Sequence, residues 1–510
     1  MKTSERVVVN TIAQYTRTVI NMILSLYTVR VVLSTLGQND YGVYTLIAGV
    51  VSMLSFITNS LVTSTQRFIS YNQGKQDLNR IKTIFSNSII IHIVIGIILI
   101  VLLESCAPLL FNGFLNISKD RTEAAFFVYQ VVVVILFTTF ITAPFKSLLI
   151  SRENIVYISI IEVLDGFIKV IFAFLLTQVT YDKLKFYSIS MLLVQAFTFF
   201  SLAAYCYLKY EECIIPSIKR LNKSDVKEFM SFTGWTVYGT ICSVGQRQGI
   251  AIVLNRIMGT AVNAAYGIGF QLAGYASFLS SSIVNAIRPQ IIKAEGGGDR
   301  QRALRLSNIT SKLVFLLMSM VFVPCMFEID TVLSLWLVNP PQYAGLFCVM
   351  AMSTVLADSV SIGLTHINNA IGDIKMYAIV MSTPKLMSLP IAYVFITMGL
   401  SLDWVAFECV LIELIMAFVR IPFIHKQAGL NVQDFLTNTI LKELLCAFGL
   451  IILCFAVSLT MINFSYRIVI TILVTLGFYP LLVFYVALTY DEREVVIKLI
   501  KSMVNKSYSK

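Results

Sequence analysis

The sequence is short of charge. Only 13% of its 510 residues are Asp, Glu, Lys or Arg, about half the share of a soluble domain, which argues against a water-soluble fold. Histidine is scarce: His92 reads as buried structure, His425 as a loop residue, and His366 is open to either a structural or a functional reading. The nine cysteines include no Cys-x-x-Cys spacing and most fall in apolar segments, which excludes a zinc ribbon or a disulfide framework. Gly296–Arg300 (GGGDR) lacks the Lys-Ser/Thr of a phosphate-binding loop and reads as a flexible turn. No enzyme chemistry, cofactor or metal site is expected.

Apolar residues are what the chain has in excess: 57% of the total, with a mean hydropathy of +0.80. Runs near 20 residues recur from end to end, each enough to cross a hydrocarbon core of about 30 Å. They predict an all-α polytopic membrane protein with fourteen spans, at about 9–33, 42–65, 84–104, 124–144, 155–177, 186–208, 233–257, 264–287, 308–328, 344–371, 376–399, 404–424, 441–462 and 467–489. The first run carries Arg17 and Arg30 and lacks a small-residue cleavage site, so it reads as a span and not a cleaved signal.

Orientation follows from the basic residues. With the N-terminus inside, 28 of the 39 Lys and Arg fall on inner segments or the adjoining span ends, and only Lys119, Arg121, Lys183, Lys185 and Arg467 fall outside. Both termini are therefore expected in the cytoplasm. The same asymmetry accounts for the net charge of +11 through anionic membrane lipids, with no nucleic acid partner.

One stretch is written twice. LGQNDYG at 36–42 and QRFISYNQGK at 66–75 have counterparts in MGTAVNAAYG at 258–267 and IRPQIIKAEGGGD at 287–299, and Arg67 and Asn87 match Arg288 and Asn308 at a common offset of 221. A duplication with six spans per copy returns the chain to the same side, so the copies are parallel repeats. The expected organisation is an N-lobe at 1–208, a cytoplasmic linker at 209–231, a C-lobe at 232–424, two added spans within 425–489, and a cytoplasmic tail at 490–510. In the tail Val495, Val496, Leu499, Ile500 and Met503 share one helical face opposite Lys498 and Lys501, the pattern of an interfacial helix.

Polar residues inside the spans are informative, because a charge at the bilayer centre costs at least about 2.5–3.5 kcal/mol. Asn10, Gln14, Arg17 and Asn21 recur on one face of the first span, and Thr236, Thr240, Ser243 and Arg247 repeat that spacing in the seventh. The second spans of the copies add Asn59 in one, and Gln271 and Asn285 in the other. Such stripes line a water-filled cavity or pack between helices. A Ser or Thr taken singly reads as structural, since its hydroxyl bonds its own helix backbone. The two arginines read the other way, because a guanidinium keeps its charge and needs an anion or water.

Glu162, Asp165 and Lys169 share a face of the fifth span, which suggests a local ion pair, and Glu413 and Arg420 are spaced to pair through intervening groups. Asp358 lies near mid-membrane with no basic neighbour one turn away. It is the candidate for coupling to a proton or sodium gradient, unless an arginine on another helix claims it. Pro384 and Pro390 around Lys385 suggest a bent or broken eleventh span.

The runs IVLNRIMGTAVNAAYGIGFQLAG, AIRPQIIKAEGGGD and GDIKMYAIVMSTPKLMSLPIAYVFITMG (372–399) resemble the polysaccharide or O-antigen flippases (Wzx-type) of the multidrug/oligosaccharidyl-lipid/polysaccharide exporter superfamily. The resemblance implies a MATE-like fold of two pseudo-symmetric six-helix lobes plus two C-terminal helices, in the bacterial cytoplasmic membrane. It implies alternating access and an undecaprenyl-diphosphate-linked oligosaccharide as substrate, with a glycan polymerase and other assembly proteins as partners. It also implies that arginines in the first spans of each lobe line a cationic cavity, a role that falls on Arg17 and Arg247. Asn10, Gln14, Asn21, Asn59, Gln271 and Asn285 are then candidates for hydrogen bonding to sugar hydroxyls. Two alternatives remain at this stage, a cation-coupled multidrug exporter of the same superfamily and a non-transporting scaffold of a glycan-assembly complex.

Overall fold

The computed structural model describes residues 3–52, 54–111, 119–218, 221–337, 339–460, 466–490 and 492–494, and every regular element among them is helical. In chain order these are α1 (Thr3–Ser52), α2 (Ser55–Gly74), α3 (Leu78–Leu109), α4 (Thr122–Ser151), α5 (Ile155–Gln178), α6 (Lys183–Lys209), α7 (Lys223–Met258), α8 (Thr260–Gly296), α9 (Arg300–Phe327), α10 (Ile329–Trp336), α11 (Ala344–Ser359), α12 (Ile362–Ile371), α13 (Lys375–Thr397), α14 (Leu402–Ala428), α15 (Val432–Phe435), α16 (Leu441–Thr460) and α17 (Arg467–Leu482). Eight helices among the described residues are long and apolar enough to cross a membrane singly, and α11 with α12 makes a ninth, bent by 49°. Of the remaining expected spans, the fifth and twelfth each carry three charged residues, Glu162, Asp165 and Lys169 in α5 and Glu408, Glu413 and Arg420 in α14.

The turns between the first two spans of each copy are each made at one residue. Helical geometry in α1 is broken at Gly37 (φ 77°, ψ 170°), and α7 and α8 meet at Gly259 (φ 91°). Left-handed backbone costs a residue with a Cβ about 1–2 kcal/mol, so glycine is the residue that turns here. Several helices run past the ends of the expected spans: α2 reaches Gly74, α4 reaches Ser151 and α8 reaches Gly296. Hydropathy falls where the hydrocarbon ends, but the helix continues into the polar interface.

Two compact units divide the chain, residues 1–237 with 285–299, and 238–284 with 300–510. The first is larger than the expected 1–208 lobe, because it takes in the linker, the start of α7 and the inner end of α8. Its packing shows why. Phe68 of α2 stacks against Phe229 and Phe232 of α7, and Thr233 Oγ1 donates to Ser64 Oγ at 2.9 Å. Arg80 holds Asp225 through two hydrogen bonds of 2.7 Å. α2 and the inner end of α8 approach so closely that a methyl group on Gly74 or Gly296 would overlap the other helix's backbone. From Lys223 on, the 209–231 segment is helical; its amphipathic end forms the first two turns of α7, with Phe229 buried.

In the second unit α11 packs on α14 and α9, and α13 on α14. Phe322, Phe347 and Tyr266 lie in one large buried cluster. The two added spans, α16 and α17, lean on α9 through Leu316, Val323, Cys446, Leu450, Cys454 and Tyr479. The eleventh span, expected to be bent or broken, is one unbroken helix, α13, with Pro384 and Pro390 inside it, and a break lies in the tenth, where α11 and α12 separate at Val360–Ser361. The tail's predicted interfacial face, Val495 to Met503, lies outside the described residues.

Candidate functional site

In the first unit α1 lies along α5, which brings the polar stripe of the one onto the charged face of the other. Arg17 Nη1 donates to Glu162 Oε2 at 2.5 Å, Lys146 Nζ to Glu162 Oε1 at 2.8 Å, and Asn21 Nδ2 to the Glu162 carbonyl at 3.2 Å. Lys169 and Asp165 form the local pair at 2.6 Å, and Thr198 donates to Asp165 at 3.2 Å. These groups border a cavity of about 400 Å³, lined among others by Asn21, Asn59, Lys146, Glu162, Asp165 and Lys169. Of the charged groups that line it, Lys146 and Lys169 balance Glu162 and Asp165, and Arg17 reaches it only through its bond to Glu162.

The stripe on α1 divides. Asn21 lines this cavity, and Arg17 lies behind it on Glu162. Asn10 and Gln14 are buried below it, and Asn10 Nδ2 donates to the Glu153 carbonyl at 2.8 Å, tying α1 to the turn between α4 and α5. Lys146 was not singled out from the sequence, because it falls two residues beyond the expected end of the fourth span and reads there as an ordinary inner anchor. A signal was present: Thr139, Thr142, Ala143 and Lys146 share one helical face, and all four line the cavity.

In the second unit Arg247 borders two adjoining cavities of about 260 and 400 Å³. Its guanidinium carbon lies 5.7 Å from the centre of the Phe270 ring, within cation–π range. Gln271 lines the larger cavity and donates to Tyr275 Oη at 2.9 Å. Glu413 lines the smaller one, but its carboxylate is held by Lys385 at 2.7 Å. Among the described residues no carboxylate lies within ion-pair distance of Arg247, which is exposed. Asn285 lies in the first unit and lines none of these cavities.

Residues 7–295 match the model of the family described as polysaccharide biosynthesis protein. The chain belongs to that family. No curated protein matches it in sequence. Among solved structures, an outward-facing multidrug resistance MATE family transporter of the MOP superfamily aligns with a TM-score of 0.72 at 13% identity, over 84% of this chain and 96% of that one. A MOP superfamily transporter from Pyrococcus furiosus, described as having a binding pocket of reverse polarity, aligns with 0.71 at 13% identity over 85% and 97%. A MATE structure in a bent conformation aligns with 0.72 at 12% identity over 85% and 97%. This member of the polysaccharide biosynthesis family is thus a multi-pass membrane protein with the MATE fold.

Asp358 is not a lone carboxylate in this family member. Arg420, on α14, reaches across to the break in the tenth span, where its Nη1 donates to the Asp358 carbonyl at 3.1 Å and to Ser361 Oγ at 3.3 Å, and its Nη2 to Asp358 Oδ1. A broken helix leaves carbonyls without their intrahelical partners, and the guanidinium supplies one donor while neutralising the acid beside it. Of the alternatives open from the sequence, the arginine on another helix is the one present. Glu413 and Arg420, whose spacing suggested a pair, take separate partners, Lys385 and Asp358.

Elsewhere in the first unit, Arg121 binds both Asp40, just after the turn at Gly37, and Asp182 at the start of α6. Asp182 also caps α6 by accepting from the Leu184 and Lys185 amides. Burial works to raise the Asp182 pKa, but the Lys185 amide and Arg121 outweigh it and hold this carboxyl below the usual carboxylate range.

Proposed function

We propose that the protein moves a polyprenyl-diphosphate-linked oligosaccharide from the inner to the outer leaflet of the bacterial cytoplasmic membrane, with both termini in the cytoplasm. The observation that supports this most directly is Arg247: an arginine beside a cavity of about 400 Å³, with no described carboxylate to neutralise it. A diphosphate offers the planar guanidinium the paired acceptors it matches best. The sugar portion then meets Gln271 beside Arg247, while the prenyl chain stays in lipid; in the first unit Asn21 and Asn59, on the cavity that Lys146 lines, are candidates for the same role. Alternating exposure of the cavities to the two sides carries the headgroup across. Membership in the polysaccharide biosynthesis family supports the same substrate class.

The test is flipping of a fluorescent polyprenyl-diphosphate oligosaccharide in proteoliposomes, with and without a pH or sodium gradient. Wild type is expected to flip it, and Arg247→Ala to slow flipping by at least tenfold with normal expression. Arg17→Ala is expected to slow it too, and to lower stability modestly, since Glu162 keeps Lys146 as its ion-pair partner. Undiminished flipping in both variants would remove the anion-cavity reading. Efflux of a fluorescent cation in place of flipping would favour a multidrug exporter, and absence of both activities a scaffold.

A further inference from the structure

The two helices outside the repeat enclose a carboxyl group that the reading above does not use. Glu443, on α16, is fully buried, and neither of its oxygens has a hydrogen-bond partner. Lys312 of α9 is the cation whose charge reaches it. Lys312 is itself only 5% exposed, and its ammonium is committed to Glu492, 3.0 Å away, just past α17. Glu492 in turn accepts from the Thr489 amide at 2.8 Å. One buried cation thus stands between two acids, one bound by it and one bare.

The remaining titratable groups on the packed elements leave Glu443 without help. Tyr479 of α17 spends its hydroxyl on Ser319 of α9 at 2.6 Å. Arg493 donates to the Leu488 and Tyr485 carbonyls. Cys446, one turn along α16, is a buried thiol. From this end a buried polar seam continues between α9 and α17, through Tyr479 with Ser319, then Thr475, to Thr471, which donates to Glu328 at 3.0 Å. Glu328 is fixed by Arg467 at 2.8 Å. Of the two acids on the seam, only Glu443 lacks a donor.

We propose that Glu443 is a proton-exchange site built into the added helical pair. A bare carboxylate in such a place is costly by several kcal/mol, whereas the neutral acid is tolerated. When Lys312 leaves Glu492 and turns to Glu443, the acid gives its proton to water at the inner surface and the carboxylate pairs with the ammonium. When Lys312 returns to Glu492, Glu443 takes a proton back. The site would supply the proton coupling that Asp358, held by Arg420, is not placed to supply. That coupling role rests on the flippase reading; the proton exchange does not.

Infrared difference spectroscopy of the full-length protein in liposomes, perfused from about pH 5 to about pH 9, tests the exchange without any substrate. Wild type is expected to lose a protonated-carboxyl band as pH rises, and Glu443→Gln to lack that band. Glu492→Gln, which frees Lys312, should move the loss to lower pH, and Lys312→Met should move it to higher pH. A Glu443→Gln spectrum identical to wild type would overturn the site. Should that variant fail to fold, an unshifted titration in both Lys312→Met and Glu492→Gln overturns it instead. In the flipping assay, loss of stimulation by a pH gradient in Glu443→Gln supports coupling, and full stimulation overturns it. A titrating band in a protein that flips nothing would refute the flippase reading and leave the proton site standing.

Discussion

Replacing Arg420 with methionine takes away the cation that sits on the break in the tenth span. Arg420 is 6% exposed and Asp358 34% exposed. Removing one partner of a buried pair costs about 3–5 kcal/mol, because the other charge is stranded. Asp358 is one-third exposed and recovers some solvation, so Arg420→Met belongs near the lower end, about 3 kcal/mol. Asp358→Asn strands the more deeply buried guanidinium and belongs nearer the upper end, about 4–5 kcal/mol. In the double variant no charge is stranded, so its cost should fall short of the sum of the singles by about 2–3 kcal/mol. Unfolding titrations in mixed micelles on all four proteins measure this. Sodium should stabilise Arg420→Met, whose carboxylate is open to a cation, and leave wild type unchanged. Additive single costs, or sodium stabilisation of wild type that Asp358→Asn abolishes, would refute the view that arginine occupies the place of a coupling ion here.

The glycine turns give a local test: Gly37→Ala and Gly259→Ala should each destabilise by about 1–2 kcal/mol. Gly267→Ala, on α8 with open space where the methyl would go and no positive φ, should be neutral or stabilising in the same unfolding assay. Lys146→Met removes one of the two cations that line the first unit's cavity and should slow flipping of the diphosphate lipid by roughly tenfold, equivalent to about 1.4 kcal/mol; an unchanged rate would take Lys146 out of the binding wall. Asp182 has its pKa lowered in the folded state, so the stability it contributes is fully present above the unfolded value near pH 4 and is lost as pH falls through the folded value. Asp182→Asn should therefore flatten the acid limb of stability below about pH 4, and an unaltered limb would show that the cap and the Arg121 contact do not contribute.

Much of the architecture was legible because it is a property of short windows. Long apolar runs predict membrane helices whatever they touch, and α3, α4, α9, α16 and α17 fall on the runs expected of them. The repeated LGQNDYG and MGTAVNAAYG pointed to turns that the structure makes at Gly37 and Gly259. The helix ends were less legible, since hydropathy reports where the hydrocarbon stops and not where the helix does. Lys146 was hidden for that reason. The break in the tenth span was hidden for another: its Asp358 carbonyl is satisfied by Arg420, 62 residues further on, whereas the prolines that advertise a break lie within a continuous α13.

By itself the sequence determined the class of the protein, its duplication and the polar stripes, because composition and helical periodicity are summed along the chain. It also placed Arg17, Arg247 and Asp358 inside the apolar spans. Only the tertiary structure decided what each charge meets. Arg17 is joined to Glu162 across 145 residues, Asp358 to Arg420 across 62, Arg247 has no described acid within ion-pair distance, and Glu443 is buried without a donor. Helices that are apolar on nearly every face carry little record of which neighbour they will choose. Once they pack, the cost of a stranded charge depends on a few ångströms, and those distances are set by the fold.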